Sequence, residues 1–143
     1  MPASPSFTDP VEVVRAFWQR MQARDWDGVR ALLHDGAVLL WWTSGERLDG
    51  GDAIVHVNRT YPEGWSIHVQ SVTPRHDGRV HAIVRVDQAP HRFFANSVAT
   101  VAEGRIVAID EYWGTFEEPP PWRAEGRLPG WSRFDVDTPE HGG

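Results

Sequence analysis

Apolar residues recur at helical spacing near the start of the chain and at alternate positions in its second half, so it reads as helices followed by a sheet. In "TDPVEVVRAFWQRMQARD", Val11, Val14, Trp18 and Met21 fall on one helical face with Phe17 beside them. Thr8 or Asp9 can cap this helix, and Pro10 suits its first position. "WDGVRALLHDG" predicts a shorter second helix that buries Trp26, Val29, Leu32 and Leu33 and stops near Gly36. "AVLLWW" is a fully apolar strand, "TSGERLDGG" a turn-rich link, and Asp52 is placed to cap a third helix, "AIVHVNRT", that ends before Tyr61-Pro62. Four β runs follow, "SIHVQSVTPR", "RVHAIVRVDQ", "RFFANSVATVA" and "RIVAIDEYW", separated by "HDG", "AP" and "EG" turns.

Helices first and then a meander of strands predict an α+β domain with a mainly antiparallel sheet. The 143 residues suit one domain. Its expected extent is 1–118, with a Pro/Gly-rich tail over 119–143 running along the surface, pinned by Trp122, Trp131 or Phe134.

The formal net charge of −6 and the lack of a basic stripe argue against nucleic acid as a partner. All 14 basic residues are Arg, which removes Schiff-base lysines and P-loops from consideration. There is no cysteine, hence no disulfide and no thiolate metal site. The seven histidines show no metal-ligand spacing, so neither a metal nor another cofactor is expected. "MPASPSFTDP" lacks the basic flank and apolar run of a secretory signal, and no later run is long enough to span a bilayer. No membrane partner and a cytoplasmic location are the expectation. Eight Trp supply rigid apolar surface, suited to a thick core or to the wall of a ligand cavity.

"IVAIDEYWG" raises the sharpest question. Alternation puts Val107, Ile109, Glu111 and Trp113 on one face and Ile106, Ala108, Asp110 and Tyr112 on the other, so each acid follows two apolar neighbours. One acid is expected inside, where a carboxylate needs a partner or a task.

The stretches "FWQRMQARDWDGVRALLHDGAVL", "GGDAI" and "EGRIVAIDEYW" resemble the opening helices, helix entry and closing hairpin of the nuclear transport factor 2-like superfamily, also called SnoaL-like or ketosteroid-isomerase-like. The resemblance covers about residues 9–116, and the "EYWG…PPPWR" ending is similar to an uncharacterised branch of it. It implies a cone-shaped fold, three N-terminal helices packed on a curved sheet around an apolar pocket, commonly dimerising through the sheet. The fold hosts enzymes and binders alike and names no reaction.

Within that resemblance, Arg85 and Asp87 of "RVD" with Glu111 on the last strand match, in order, the Arg-x-Asp and acid of the superfamily's epoxide hydrolases. The resemblance implies that Glu111 draws a proton from water, Asp87 protonates the epoxide oxygen and Arg85 orients both acids. Glu replaces the hydrolase Asp, and "LLWWTS" offers no equivalent of the Tyr and Asn that hold the water there. The structural alternative is an Arg85–Asp87 ion pair on the sheet. Phe17 stands where the ketosteroid isomerases have their oxyanion-holding Tyr, so that reaction is not expected.

His81 shares the face of Arg85 and joins the candidates. Trp18, Trp42, Tyr61, Trp65 and Trp113 are candidate walls for a small hydrophobic ligand, and Asn96 a candidate to orient it or to tie two strands. If the Arg85 face lines the pocket, the stripe Val80, Ala82, Val84 and Val86 looks outward and needs a homodimer partner to cover it. Glu111 is then the inward acid and Asp110 lies at the rim or interface. Two function classes fit: a cofactor-independent acid/base enzyme of hydrolase or isomerase type, and a non-catalytic binding or structural module.

Overall fold

In the computed structural model, which describes residues 7–124 and 128–137, the chain enters helix α1 (Pro10–Gln22) through Asp9, whose carboxylate accepts from the Val11 amide at 2.9 Å. Val13, Val14, Phe17, Trp18 and Met21 form its buried face. Arg24 then turns the chain in the left-handed region (φ 58°), and Asp25 caps α2 (Trp26–Ala31) by accepting from the Gly28 amide. The second helix is shorter than its pattern suggested. Leu33 already belongs to strand β1 (Leu33–Trp41), because it pairs with Ile106 of the last strand.

The link after β1 contains a strand that the sequence reading missed, β2 (Glu46–Asp49). It pairs antiparallel with β1 and carries one apolar residue, Leu48, so charge hid it. Helix α3 (Gly51–Thr60) follows. Its N-cap is Gly50 at φ 101°, not Asp52, because the Asp52 carboxylate is drawn to the Arg30 guanidinium at 2.7 Å. Strands β3 (Ser66–Pro74), β4 (Val80–Gln88), β5 (His91–Ala102) and β6 (Arg105–Thr115) form the predicted meander, and α4 (Pro121–Ala124) is a single turn beyond it. The expected three-helix layer thus rests on two longer helices, α1 and α3, with six-residue α2 between them.

The six strands make one curved, unclosed sheet in the order β2-β1-β6-β5-β4-β3. Its ladders are antiparallel except for β1 beside β6, which run parallel. The class is α+β, as predicted. One face of the sheet holds the core against the helices: Leu33 and Leu39 on β1, Val80, Ala82, Val84 and Val86 on β4, Ala95 and Ala99 on β5, and Ile109 on β6 are all buried. Each Val, Leu or Ile among them contributes about 1.5 to 3 kcal/mol where fully enclosed.

This reverses one expectation. The Val80–Val86 stripe faces inward and packs under the molecule's own helices, so it needs no partner to cover it. Arg85, Asp87, His81 and Ile83, at the intervening positions, lie on the outer face. In the C-terminal segment Trp131 is half-buried, whereas the other two candidate pins are exposed. Trp122 and Phe134 are 63% and 69% exposed. Polar contacts also hold the segment: the Val136 carbonyl accepts from Arg85 at 3.1 Å, Asp137 meets Arg92 at 3.2 Å, and Arg133 meets Glu118 at 2.6 Å.

Candidate functional site

A cavity of about 320 Å³ lies between α1, the end of α3 and the inner face of the sheet. Helix α1 presents Phe17, Trp18 and Met21 to it, as its 3.6-residue period requires. The strands contribute Leu39 and Trp41 from β1, Ile67 from β3, Val86 from β4, Phe93 from β5, and Ile109, Glu111 and Trp113 from β6. Tyr61 and Trp65, from the loop between α3 and β3, complete the wall. Uncharged polar residues (Thr43, Ser44, Asn58 and Thr115) supply the rest.

Glu111 is the only carboxylate that lines this cavity among the described residues, and it is 4% exposed. The parallel ladder sets Trp41 directly beside it, and Ser97 lies opposite on β5. Two indoles donate to the same oxygen: Trp41 Nε1 reaches Glu111 Oε1 at 3.0 Å and Trp113 Nε1 reaches it at 2.8 Å. Burial pushes the carboxyl above its ordinary value, against the Trp113, Trp41 and Ser97 hydrogen bonds, which favour the charged form. Two fixed donors on Oε1 orient the group and leave Oε2 without an indole. Such a group, held in a mainly apolar chamber, is suited to take and return a proton.

The loop bearing Tyr61 and Trp65 is latched to the end of α1. Arg24 donates to both Glu63 oxygens at 3.0 Å and to the Trp65 carbonyl at 2.6 Å, and its guanidinium lies 3.2 Å over the Trp65 ring. Gln22 Oε1 accepts from the Ile67 amide at 2.6 Å, and Gln88 donates to the Pro62 carbonyl at 2.8 Å.

Five of the predicted site residues meet in the cavity: Glu111, Trp18, Tyr61, Trp65 and Trp113. The other five do not. Arg85 and Asp87 pair with each other at 3.0 Å on the outer face, where Arg92, His68 and Asp137 join them. The expected Arg85–Asp87–Glu111 cluster therefore does not form, because an odd step along β4 from the Val80–Val86 stripe puts both residues across the sheet from Glu111. His81 Nε2 and Asn96 Oδ1 meet at 3.0 Å on that same outer face, so Asn96 ties two strands. Trp42 also points out, donates to Asp110 at 2.9 Å and stacks on Tyr112. Asp110 is thus the outer acid, and Glu111 the inner one.

Sequence reasoning missed Trp41, Phe93 and Ser97. In "AVLLWW" both alternations are apolar, so nothing in that run chooses between Trp41 and Trp42. The ladder beyond the irregularity between Leu33 and Val38 sets Leu39 beside Ile109 and Trp41 beside Glu111, and that register selects Trp41.

No family model matches the chain, and no curated protein does either. Solved structures do. A candidate ketosteroid isomerase from Kribbella flavida DSM 17836 superposes with a TM-score of 0.78 at 21% identity, covering 90% of this chain and 92% of that one. A nuclear transport factor 2-like protein of unknown function from Burkholderia xenovorans LB400 gives 0.69 at 21% identity, covering 78% and 88%. An LEH-like epoxide hydrolase from Mycobacterium tuberculosis gives 0.61 at 24% identity, covering 77% and 86%. By its architecture, the chain has the nuclear transport factor 2-like fold.

Proposed function

We propose that this chain binds a small, largely apolar molecule in the cavity and catalyses a cofactor-independent proton transfer on it, with Glu111 as the acid/base. The observation that carries this reading is the single carboxyl held by two indoles in an otherwise uncharged, aromatic chamber. Isomerase-type chemistry fits better than epoxide hydrolysis. Opening an epoxide requires an acid for its oxygen as well as a base for water, and the Arg85–Asp87 pair that the resemblance assigned to this work lies on the other face. The candidate ketosteroid isomerase among the fold neighbours supports the same direction by analogy alone.

The test is deuterium exchange in heavy water. A panel of apolar carbonyl and imine compounds would be followed by NMR with the native chain and with Glu111→Gln. The proposal expects exchange at a carbon beside the C=O or C=N, slowed about a hundredfold or more in the variant. Compounds that bind without exchanging, equally with both chains, would leave a non-catalytic binding module.

Self-association is a separate proposal. The stacked Trp42 and Tyr112, 53% and 47% exposed on the outer face, are the surface that a second copy would cover. Sedimentation of the native chain beside Trp42→Ser tests it.

A further inference from the structure

The cavity contains one carboxyl and no cation to balance its charged form. The chain has 14 Arg and seven His, yet none of them lines the cavity among the described residues. The groups that act on the Glu111 carboxyl are two indole N–H groups and a hydroxyl, all uncharged. A buried carboxylate without a counter-charge is costly, and a ligand that expels the remaining water raises the cost further. Seven of the 17 lining residues are aromatic, four of them Trp, and aromatic faces attract cations. The indoles both bind Oε1, so Oε2 carries neither.

We infer that the ligand of this cavity is a small organic cation, a protonated amine or iminium on an apolar body, whose N–H pairs with Glu111 while its carbon frame lies among the aromatic rings. This rests on the reading of the cavity as the binding site. An anionic ligand finds no cation there and meets Glu111 as a like charge. The chain's net charge of −6 disfavours its approach as well.

The titration that governs such binding is simple to assign. Helix α1 faces Glu111's cavity with Phe17, Trp18 and Met21, α3 with Asn58, and strands β1, β3, β4 and β5 with apolar residues; among the described residues the other titratable group in the lining is Tyr61. Affinity for an amine should therefore fall as pH drops through the Glu111 carboxyl and fall again as pH rises through the amine.

Calorimetry at neutral pH with naphthylmethylamine, naphthalenemethanol and naphthoate, three probes of one shape and different charge, tests the inference. The amine should bind about tenfold tighter than the alcohol, and naphthoate should not compete. Glu111→Gln, checked for folding by circular dichroism, should abolish that preference while leaving the alcohol within about twofold, and Glu111→Asp should restore part of it. An alcohol that binds as tightly as the amine, or a preference that survives Glu111→Gln, overturns the inference and leaves the cavity reading intact. If none of the three binds, both fall.

Discussion

Trp41 and Glu111 are paired across the one parallel ladder of the sheet, and the Trp41 indole N–H meets the carboxylate at 3.0 Å. The same alignment that closes β1 on β6 therefore also orients the buried acid. Replacing Trp41 by Phe keeps the apolar wall and removes one donor to the charged form. The Glu111 carboxyl should move further up, because a hydrogen bond that now holds it down is lost. Hydrogen bonds to charged groups are worth about 1.5 to 3 kcal/mol, so the shift should be readily seen by NMR titration of the labelled side chain. An unchanged titration would mean that Trp113 and Ser97 alone set the group.

Stability should depend on pH through Glu111 in the direction opposite to a salt-bridged acid. Its folded-state value lies above the unfolded one, so the native state holds this proton more tightly. The stability gained is present below the unfolded carboxyl range and is lost as pH rises through the folded value. Glu111→Gln removes the effect. Its Tm should exceed that of the native chain at pH about 8. The two curves should converge towards acid. Equal Tm differences across the range would mean that the carboxyl is not perturbed.

Arg85 should prove structural. Its side chain is 13% exposed and joins Asp87, the Val136 carbonyl and Asp137. Arg85→Ala leaves Arg92 as the remaining guanidinium between Asp87 and Asp137 and should cost about 1 to 2 kcal/mol. It should also release residues 128–137 to limited proteolysis, yet leave ligand binding in the cavity unchanged. Loss of binding in a folded variant would return Arg85 to the site.

Arg24 should matter to the cavity without touching its contents. Arg24→Ala removes the cation from the Trp65 ring and the donor from the Trp65 carbonyl. It should cost about 2 kcal/mol and weaken probe binding severalfold. Glu63→Gln should change little, since its carboxylate is largely exposed and screened. If both variants bind alike, the latch does not set the wall.

The elements were legible where one period dominated. The stripe Val11, Val14, Phe17, Trp18 and Met21 and the four alternating runs predicted α1 and the meander, although Val13 rather than Val11 is fully buried. β2 was not legible because an edge strand with the residues "ERLD" lacks an apolar face. The strand β4 holds the clearest lesson. Val80, Ala82, Val84 and Val86 alternate without interruption, and such a stripe is itself the mark of a core face. A resemblance in the order of Arg, Asp and Glu pointed to the opposite face, and local patterning was the better guide. Glu111 is the inner acid as expected, although that expectation rested on Arg85 and Asp87 facing the pocket, which they do not.

The parallel ladder has a consequence for assembly of the chain. Trp41 and Glu111 are 70 residues apart, so the donor and the acceptor of that bond meet only after a long loop closes. Non-local pairings of this kind form slowly, after local hairpins have reduced the entropy to be lost. The meander β3–β6 can zip by adjacent turns, but the chamber exists only when its last strand finds the first. A chain released or cut before residue 111 would have helices α1, α2 and α3 and most of the sheet and yet no site, which makes closure of β1 on β6 the step that separates a folded scaffold from a functional one.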